Sequence, residues 1–280
     1  MEDLKYEEIP ELRKKLKNIG VATESQNRLP MFEASNKPRQ GIRSFKGRHG
    51  EVTVEGRLGQ IHKNLLEAIL WKKELHSYIH TDQTIGNGKI KVKYLKVLFD
   101  REKVRKFLAQ GKGKYSKQRY KILLDDMMRT ILTLNVRGET MRGPLVIDLY
   151  DSPVAKPINT KSPIIPKQVK LTTIVFGSVI TTLLDNELKF NYNPKKLLAL
   201  NSGVSQALIR YLATHKNHPP AGYHLKELAK DLDCPIERAE WYDIKRALKR
   251  DAETLETLGI VINFERERLF VTKNILENLV

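Results

Sequence analysis

The chain has 280 residues, with 50 Lys and Arg against 33 Asp and Glu, a formal net charge of +17 and a pI of about 9.7. Such an excess repels itself in a compact fold and points to a polyanionic partner, with nucleic acid ahead of an acidic membrane surface. One cysteine, Cys234, rules out an intrachain disulfide and a cysteine-rich zinc site, and no apolar run reaches the roughly 18 residues of a membrane span, so a cytoplasmic protein is expected.

Residues 1–50 begin with an amphipathic helix candidate, Leu4 to Leu16, and pass into SNKPRQGIRSFKGRHG, which reads as a flexible basic arm. Leu58, Ile61, Leu65 and Ile69, with Leu66 and Leu70 beside them, then recur at helical spacing through about Leu75. Ile90, Val92 and Tyr94 alternate with Lys89, Lys91 and Lys93, the pattern of a short strand. Asp100 is placed to cap a helix that stops at Gly111, and Ser116 to cap another with Tyr120, Leu123, Leu124, Met127, Met128 and Ile131 on one face. Two strands turning between Arg137 and Gly143 complete an order of helix, strand, helix, helix and hairpin, which is that of a winged helix over 51–155.

Four prolines between 152 and 170 mark a connection, and KLTTIVFGSVITTLL suits a strand leading into a short helix, giving a connecting region over 156–192. From Asn193 the same order returns over 193–280. Val204, Leu208, Tyr211 and Leu212 face inward on a helix that stops near His215, and Leu225, Leu228, Ala229 and Leu232 lie on a shorter one. RAEWYDIKRALKRDAETLETLGI supplies a long third helix, and GIVINFERERLFVTKN a hairpin turning at about Arg266. The expected fold is α+β: two tandem winged helices, mainly helical, with short antiparallel β-hairpin wings.

The third helix of the second unit decides the functional reading. Trp241, Ile244, Leu248, Ala252 and Leu255 share one narrow sector, whereas Arg238, Tyr242, Lys245, Arg246, Lys249 and Arg250 fall mostly on another face. A solvated face laced with ion pairs would look similar. In a helix-turn-helix, however, the third helix enters the major groove, which gives this cationic face a geometric purpose. Arg266 and Arg268 fall on the wing, where phosphate contact is expected. The first unit carries thirteen Lys or Arg against two acids between Lys89 and Lys121, a net of +11, and Lys112, Lys114, Lys117, Arg119 and Lys121 gather at the start of its own third helix. Phosphate contact is expected there too.

Catalytic and cofactor motifs are not found. GKGKYS lacks the spacing of a phosphate loop, and His76 and His80, read as a surface pair at a helix end, lack the glutamate of a zinc protease motif. Asp125 and Asp126 are adjacent and face different directions on a helix, and Cys234 sits in a turn.

GVSQALIRYLATH, YHLKELAKDLDC, IKRALKRDAETLETLGI and INFERERLFV together resemble the winged-helix plasmid replication initiators of the TrfA type over residues 200–272, and the order of elements over 51–150 does so more weakly. The resemblance implies a protein that binds tandem origin repeats (iterons) in double-stranded DNA, opens the adjacent AT-rich duplex and recruits the host initiator and replicative helicase. It also implies a monomer–homodimer equilibrium in which the first winged helix often dimerises; the charge on this first unit suggests that it touches DNA as well. A winged-helix transcriptional repressor shares most of these features, but two unlike winged helices on one chain favour the initiator. A metal-dependent nicking enzyme using a tyrosine with His76 and His80 is the least favoured alternative.

Overall fold

The structure, a computed structural model, describes residues 20–85, 88–109, 115–136, 138–155, 168–187 and 189–279. The helix expected over Leu4–Leu16, together with Lys112 and Lys114, lies outside the described residues. Among those residues the chain is a mixed α/β fold with four antiparallel sheets.

The first described segment differs from the flexible arm the composition suggests. After β1 (Ala22–Thr23), Thr23 caps α1 (Glu24–Arg28) through a capping box with Gln26. Leu29, Met31 and Phe32 are buried, and the glycine-punctuated stretch forms β2 (Gly41–Gly47), paired in register with β3 (Gly50–Gly56). Val52 and Val54 of β3 face the core, so β2 is ordered by a partner strand within the same chain.

Next come α2 (Gln60–Trp71), β4 (Lys73–Ile85), β5 (Gly88–Phe99), α3 (Arg101–Ala109), α4 (Lys117–Met128), β6 (Ile131–Val136) and β7 (Glu139–Pro144). Asp100 accepts from the amides of Glu102 and Lys103, and Ser116 from that of Arg119, so both helices start at the caps their sequence provides. The stretch after Trp71 departs from expectation. HSYIH belongs to a long strand, not a helix end, because period-two alternation takes over at Lys73 and pairs β4 with β5 along their whole length. His76 and His80 therefore stand four strand positions apart, about 13 Å between Cα atoms at the usual rise.

The proline-containing region is also not a simple connection between domains. β8 (Val146–Ala155) and β9 (Gln168–Phe176) are antiparallel partners flanking it, and β9 returns to pair with β5, giving a sheet of order β4-β5-β9-β8. The strand and short helix expected of KLTTIVFGSVITTLL appear as β9 and α5 (Ser178–Asn186). The hairpin β6–β7, expected as the wing of the first unit, pairs with β3 in a second sheet, β2-β3-β6-β7.

The second half contains β10 (Lys189–Phe190), α6 (Lys195–Leu198), α7 (Gly203–Leu212), β11 (Tyr223–His224), α8 (Leu225–Asp231), α9 (Arg238–Arg250), α10 (Ala252–Thr257), β12 (Ile260–Asn263), β13 (Arg268–Val271) and α11 (Ile275–Leu279). The third helix expected to run continuously is broken after Arg250. There the carboxylate of Asp251 is buried and accepts from the amides of Asn201 and Ser202, pinning the break to the start of α7. Burial opposes the charge of Asp251, but these hydrogen bonds hold its pKa below the usual carboxylate range.

The two halves share one interior. Helix α2 is buried on every side from Gln60 to Leu70, including the polar Gln60, Lys63, Asn64 and Glu67. Their partner is Arg210 of α7. Its guanidinium donates to both oxygens of Glu67 at 2.8 and 2.7 Å, to Gln60 Oε1 at 2.7 Å and to Asn64 Oδ1 at 2.6 Å. Tyr192 donates to Glu67 as well, and Lys63 donates to the Gln26 carbonyl. Each buried charge is thus paired or hydrogen-bonded, as burial requires.

Candidate nucleic-acid interface

Helices α8 and α9 meet at a turn in which Asp233 adopts a left-handed conformation (φ 54°) and Cys234 N–H closes back on the Ala229 carbonyl. Trp241, Ile244, Leu248 and Leu255 are buried as the spacing predicts. Burial pushes the Cys234 thiol up to about 12, so the thiol stays neutral at ordinary pH, consistent with a packing role in the turn. Gly259 ends α10 with φ 89°, and a Cβ there would lie 2.8 Å from Lys273 Cβ, so the stop requires glycine.

Arg238, Tyr242, Arg246, Lys249 and Arg250 are exposed on α9, with Tyr242 65% accessible despite its size. Among the described residues Arg238 and Arg250 make no ion pair. Among the described residues Arg246 is paired only with Asp243, one helical turn away at 2.8 Å; both are well exposed, and such pairs contribute about 0–1 kcal/mol and yield readily to another anion. The Lys249 ammonium sits 5.3 Å from the Phe264 ring centroid. These cations project from one face of a rigid helix, the arrangement that phosphate and base-edge contacts need.

Lys245 is placed differently. Its ammonium is 3.0 Å from Glu267, which also accepts from Trp241 Nε1 at 2.9 Å. The Trp241 hydrogen bond, and after it Lys245, keep the Glu267 carboxyl below its usual range, so Glu267 remains ionised. Glu267 occupies the wing turn at φ 48°, and Asn263 Oδ1 accepts from the Glu265 and Arg266 amides in the same turn. Glu267 therefore ties the wing to α9. Of the expected contact residues on this unit, Lys245 serves that tie. Arg268 donates to the carbonyls of Ala221 and Gly222, bracing β13 against the preceding loop, and Arg266 is exposed at the tip.

Two supports of this unit escape sequence reading. Arg43 of β2 bonds Asp233 in the α8–α9 turn at 2.9 Å while also donating to the Pro30 and Met31 carbonyls. Arg48 bonds Asp231 at 2.7 Å and the Tyr211 hydroxyl. Both come from the stretch expected to be a loose basic arm, and both fix the orientation of the helix pair.

In the first half, Lys117, Arg119 and Lys121 are exposed on the first turns of α4. Arg119 lies over the Tyr115 ring at 5.3 Å, whereas Lys117 and Lys121 border a cleft that also contains Asp100, Glu102, Asp125 and Asp151. Arg101 and Arg105 line the same cleft, so its four acids face four bases and the local charge is balanced. His76 is buried and His80 exposed, and no group of three or more His, Cys, Asp or Glu among the described residues is placed to hold a metal. Nor is any helix among them long and apolar enough to cross a membrane.

The fold is similar to that of domains 2 and 3 of RctB. A crystal structure of selenomethionine derivatives of those domains aligns with a TM-score of 0.50 at 13% identity, covering 83% of this chain and 85% of that one. A second structure of RctB domains 2–3 gives 0.47 and 12%, covering 84% and 83%. No family model matches the sequence, and no curated protein matches it. At these identities the likeness is one of fold.

Proposed function

We propose that this protein is a sequence-specific double-stranded DNA-binding replication initiator whose two halves are winged-helix units built on a common core. The observation that carries the reading is the exposed face of α9, where Arg238, Tyr242, Arg246, Lys249 and Arg250 stand on a helix-turn-helix whose hairpin is tied to it through Glu267. In this reading α9 lies in a major groove, Arg266 meets the flanking phosphates, and Lys117, Arg119 and Lys121 contribute phosphate contacts from the first unit. Affinity arises mostly from counterion release, and a few base contacts set register. Support for initiation over simple repression comes from the fold shared with domains 2 and 3 of RctB, a replication initiator of Vibrio chromosome II.

The finer reading is that the protein binds phased direct repeats at a plasmid origin, with monomer and homodimer forms, promotes opening of a neighbouring AT-rich tract and recruits host initiator and helicase. Side-by-side occupancy would bend the DNA and offset the cost of unstacking AT steps. The test is a footprint on DNA flanking the gene, at stated salt, followed by permanganate probing. Protection of phased repeats with permanganate-reactive thymines in an adjacent AT-rich tract is expected. A single protected palindrome, with unreactive flanks, would replace the initiator reading with that of a repressor.

A further inference from the structure

A small crevice of about 20 Å³ lies where α1, α2 and α7 meet, and no residue of α9 lines it. Gln26 and Asn27 of α1 and Lys63 of α2 border it, with Arg28 and Arg210 beside them, and no carboxylate does among the described residues. Gln26, Asn27 and Lys63 are only 3%, 5% and 1% accessible. Even so, Gln26 Nε2 and both polar atoms of the Asn27 side chain, Nδ2 and Oδ1, find no hydrogen-bond partner among the described residues. Polar groups buried in this way are costly unless something else satisfies them.

The inventory of open groups calls for an acceptor. Each amide nitrogen brings two N–H donors, and the Lys63 ammonium spends one of its three on the Gln26 carbonyl at 3.1 Å. Asn27 Oδ1 is the one open acceptor of the three unpartnered atoms. Charge points the same way. Glu24 neutralises Arg28, and Glu67 accepts from Nε and Nη2 of Arg210 while lying 4.0 Å from Lys63. Glu187, half-buried, accepts from the Ser25 amide and hydroxyl and makes no ion pair with Lys63 among the described residues. The Lys63 ammonium therefore has no carboxylate of its own, and burial presses it toward losing its proton.

Size and wall chemistry narrow the occupant. A volume of roughly 10–15 Å³ suffices for one water-sized species, so the crevice takes a single-atom ion and is too small for sulfate or phosphate. Leu29, Phe32 and Leu232 form its apolar side, and the ammonium stands 5.2 Å from the Phe32 ring centroid, surroundings that suit a weakly hydrated anion. A water there would fill hydrogen bonds but leave the charge unbalanced.

We propose that this crevice is a chloride site in which Lys63, Gln26 Nε2 and Asn27 Nδ2 hold one anion at the junction of the two halves. The ion supplies the negative charge that Glu67, committed to Arg210, does not. Its ligands come together only on folding, so chloride stabilises the native state beyond general salt screening. The inference does not rest on the DNA-binding reading.

Urea unfolding of the full-length protein at neutral pH and constant ionic strength tests this, with potassium gluconate replaced stepwise by potassium chloride. The unfolding constant should fall with chloride and approach a tenfold drop per tenfold rise in concentration, about the limit for one ion bound by the native state alone. Lys63→Met and Asn27→Leu, each shown to be folded by circular dichroism, should lose this dependence whatever their own midpoints. In crystals grown with sodium bromide, an anomalous-difference peak is expected in the crevice against Lys63. A midpoint indifferent to the exchange of anions would overturn the proposal, as would an undiminished chloride response in both variants. So would water density in the crevice with no anomalous signal, or a bromide peak there without any effect of chloride on stability, which marks an adventitious ion only.

Discussion

Replacing Arg210 by Leu is expected to destabilise both halves of the molecule together. The guanidinium is 2% accessible and supplies four hydrogen bonds, two of them to a Glu67 carboxylate that is fully buried. Without Arg210, Glu67 keeps the Tyr192 hydroxyl and the Lys63 ammonium at 4.0 Å, while Gln60 Oε1 and Asn64 Oδ1 each lose a donor. Removing one partner of a buried pair costs about 3–5 kcal/mol. With a urea dependence near 3 kcal/mol per M for a chain of this size, the midpoint should fall by about 1–1.7 M. The two tryptophans provide the assay, since Trp71 ends α2 in the first half and Trp241 lies in α9 of the second. Single-tryptophan variants, Trp241→Phe and Trp71→Phe, report each half separately. In the wild-type background both should show the same midpoint, and Arg210→Leu should lower both. Glu67→Leu combined with Arg210→Leu should cost less than the sum of the two single changes, because neither the guanidinium nor the carboxylate is then left buried without the other. A drop confined to the Trp241 signal would refute the idea that α2 and α7 form one interior. So would a loss below about 1 kcal/mol, which is far less than stranding a buried carboxylate costs.

Other outcomes follow from the same geometry. Leu248→Ala truncates a side chain that is 3% accessible on the inner face of α9 and should cost about 2–5 kcal/mol in denaturant titration, read alike by Trp71 and Trp241. Arg246→Ala with Lys249→Ala should leave the melting temperature within a degree or two, lower DNA affinity, and reduce the slope of log affinity against log salt by about 2. Normal binding by that folded double variant would remove α9 from the groove. Burial lowers the pKa of Lys63 to about 7, far below that of the unfolded chain, so above pH 7 the unfolded state binds more protons than the native one. Stability should therefore rise with pH from about 7 towards 10, and Lys63→Met should flatten that rise; equal slopes in the two proteins would contradict it.

The second half was the more legible in sequence because its helices carry an apolar stripe at a period of 3.6 and its stops are marked. Ser202 caps α7, Gly259 ends α10 in a left-handed conformation, and the stripe through Trp241, Ile244 and Leu248 is buried as spacing requires. The first half obscured its own plan in two ways. Its second strand, GIRSFKG, has only a partly covered face, so neither its alternation nor its partner was apparent until Val52 and Val54 of β3 gave it a register. Helix α2 showed its leucine-rich face in sequence, but its polar residues are buried too because Arg210, 143 positions after Glu67, meets them. A single sequence carries no local signal of such a long-range pairing.

The same lesson applies to the interface. Arg238, Tyr242, Arg246, Lys249 and Arg250 were legible because exposure follows from the opposite face being apolar. The diversion of Lys245 to Glu267 and of Arg268 to backbone carbonyls was not, since each depends on how the hairpin returns against the preceding elements. Composition misassigned Arg43 and Arg48 for a related reason. A basic stretch near a terminus resembles a DNA-binding arm, whereas here both guanidiniums reach carboxylates on the α8–α9 unit and position the helix beside them.

The most direct test of the central claim is site-directed cleavage of a footprinted DNA by the protein with Tyr242→Cys carrying iron–EDTA. Tyr242 is at the centre of the exposed α9 face, and the native Cys234, held neutral by burial, reacts slowly enough that the new thiol is labelled selectively. The account predicts strand cuts centred within each protected repeat, with the stagger between strands that marks the major groove. Cuts confined to the flanks of the footprint, or cleavage only from a conjugate at Lys117→Cys, would show that α9 does not enter the DNA groove.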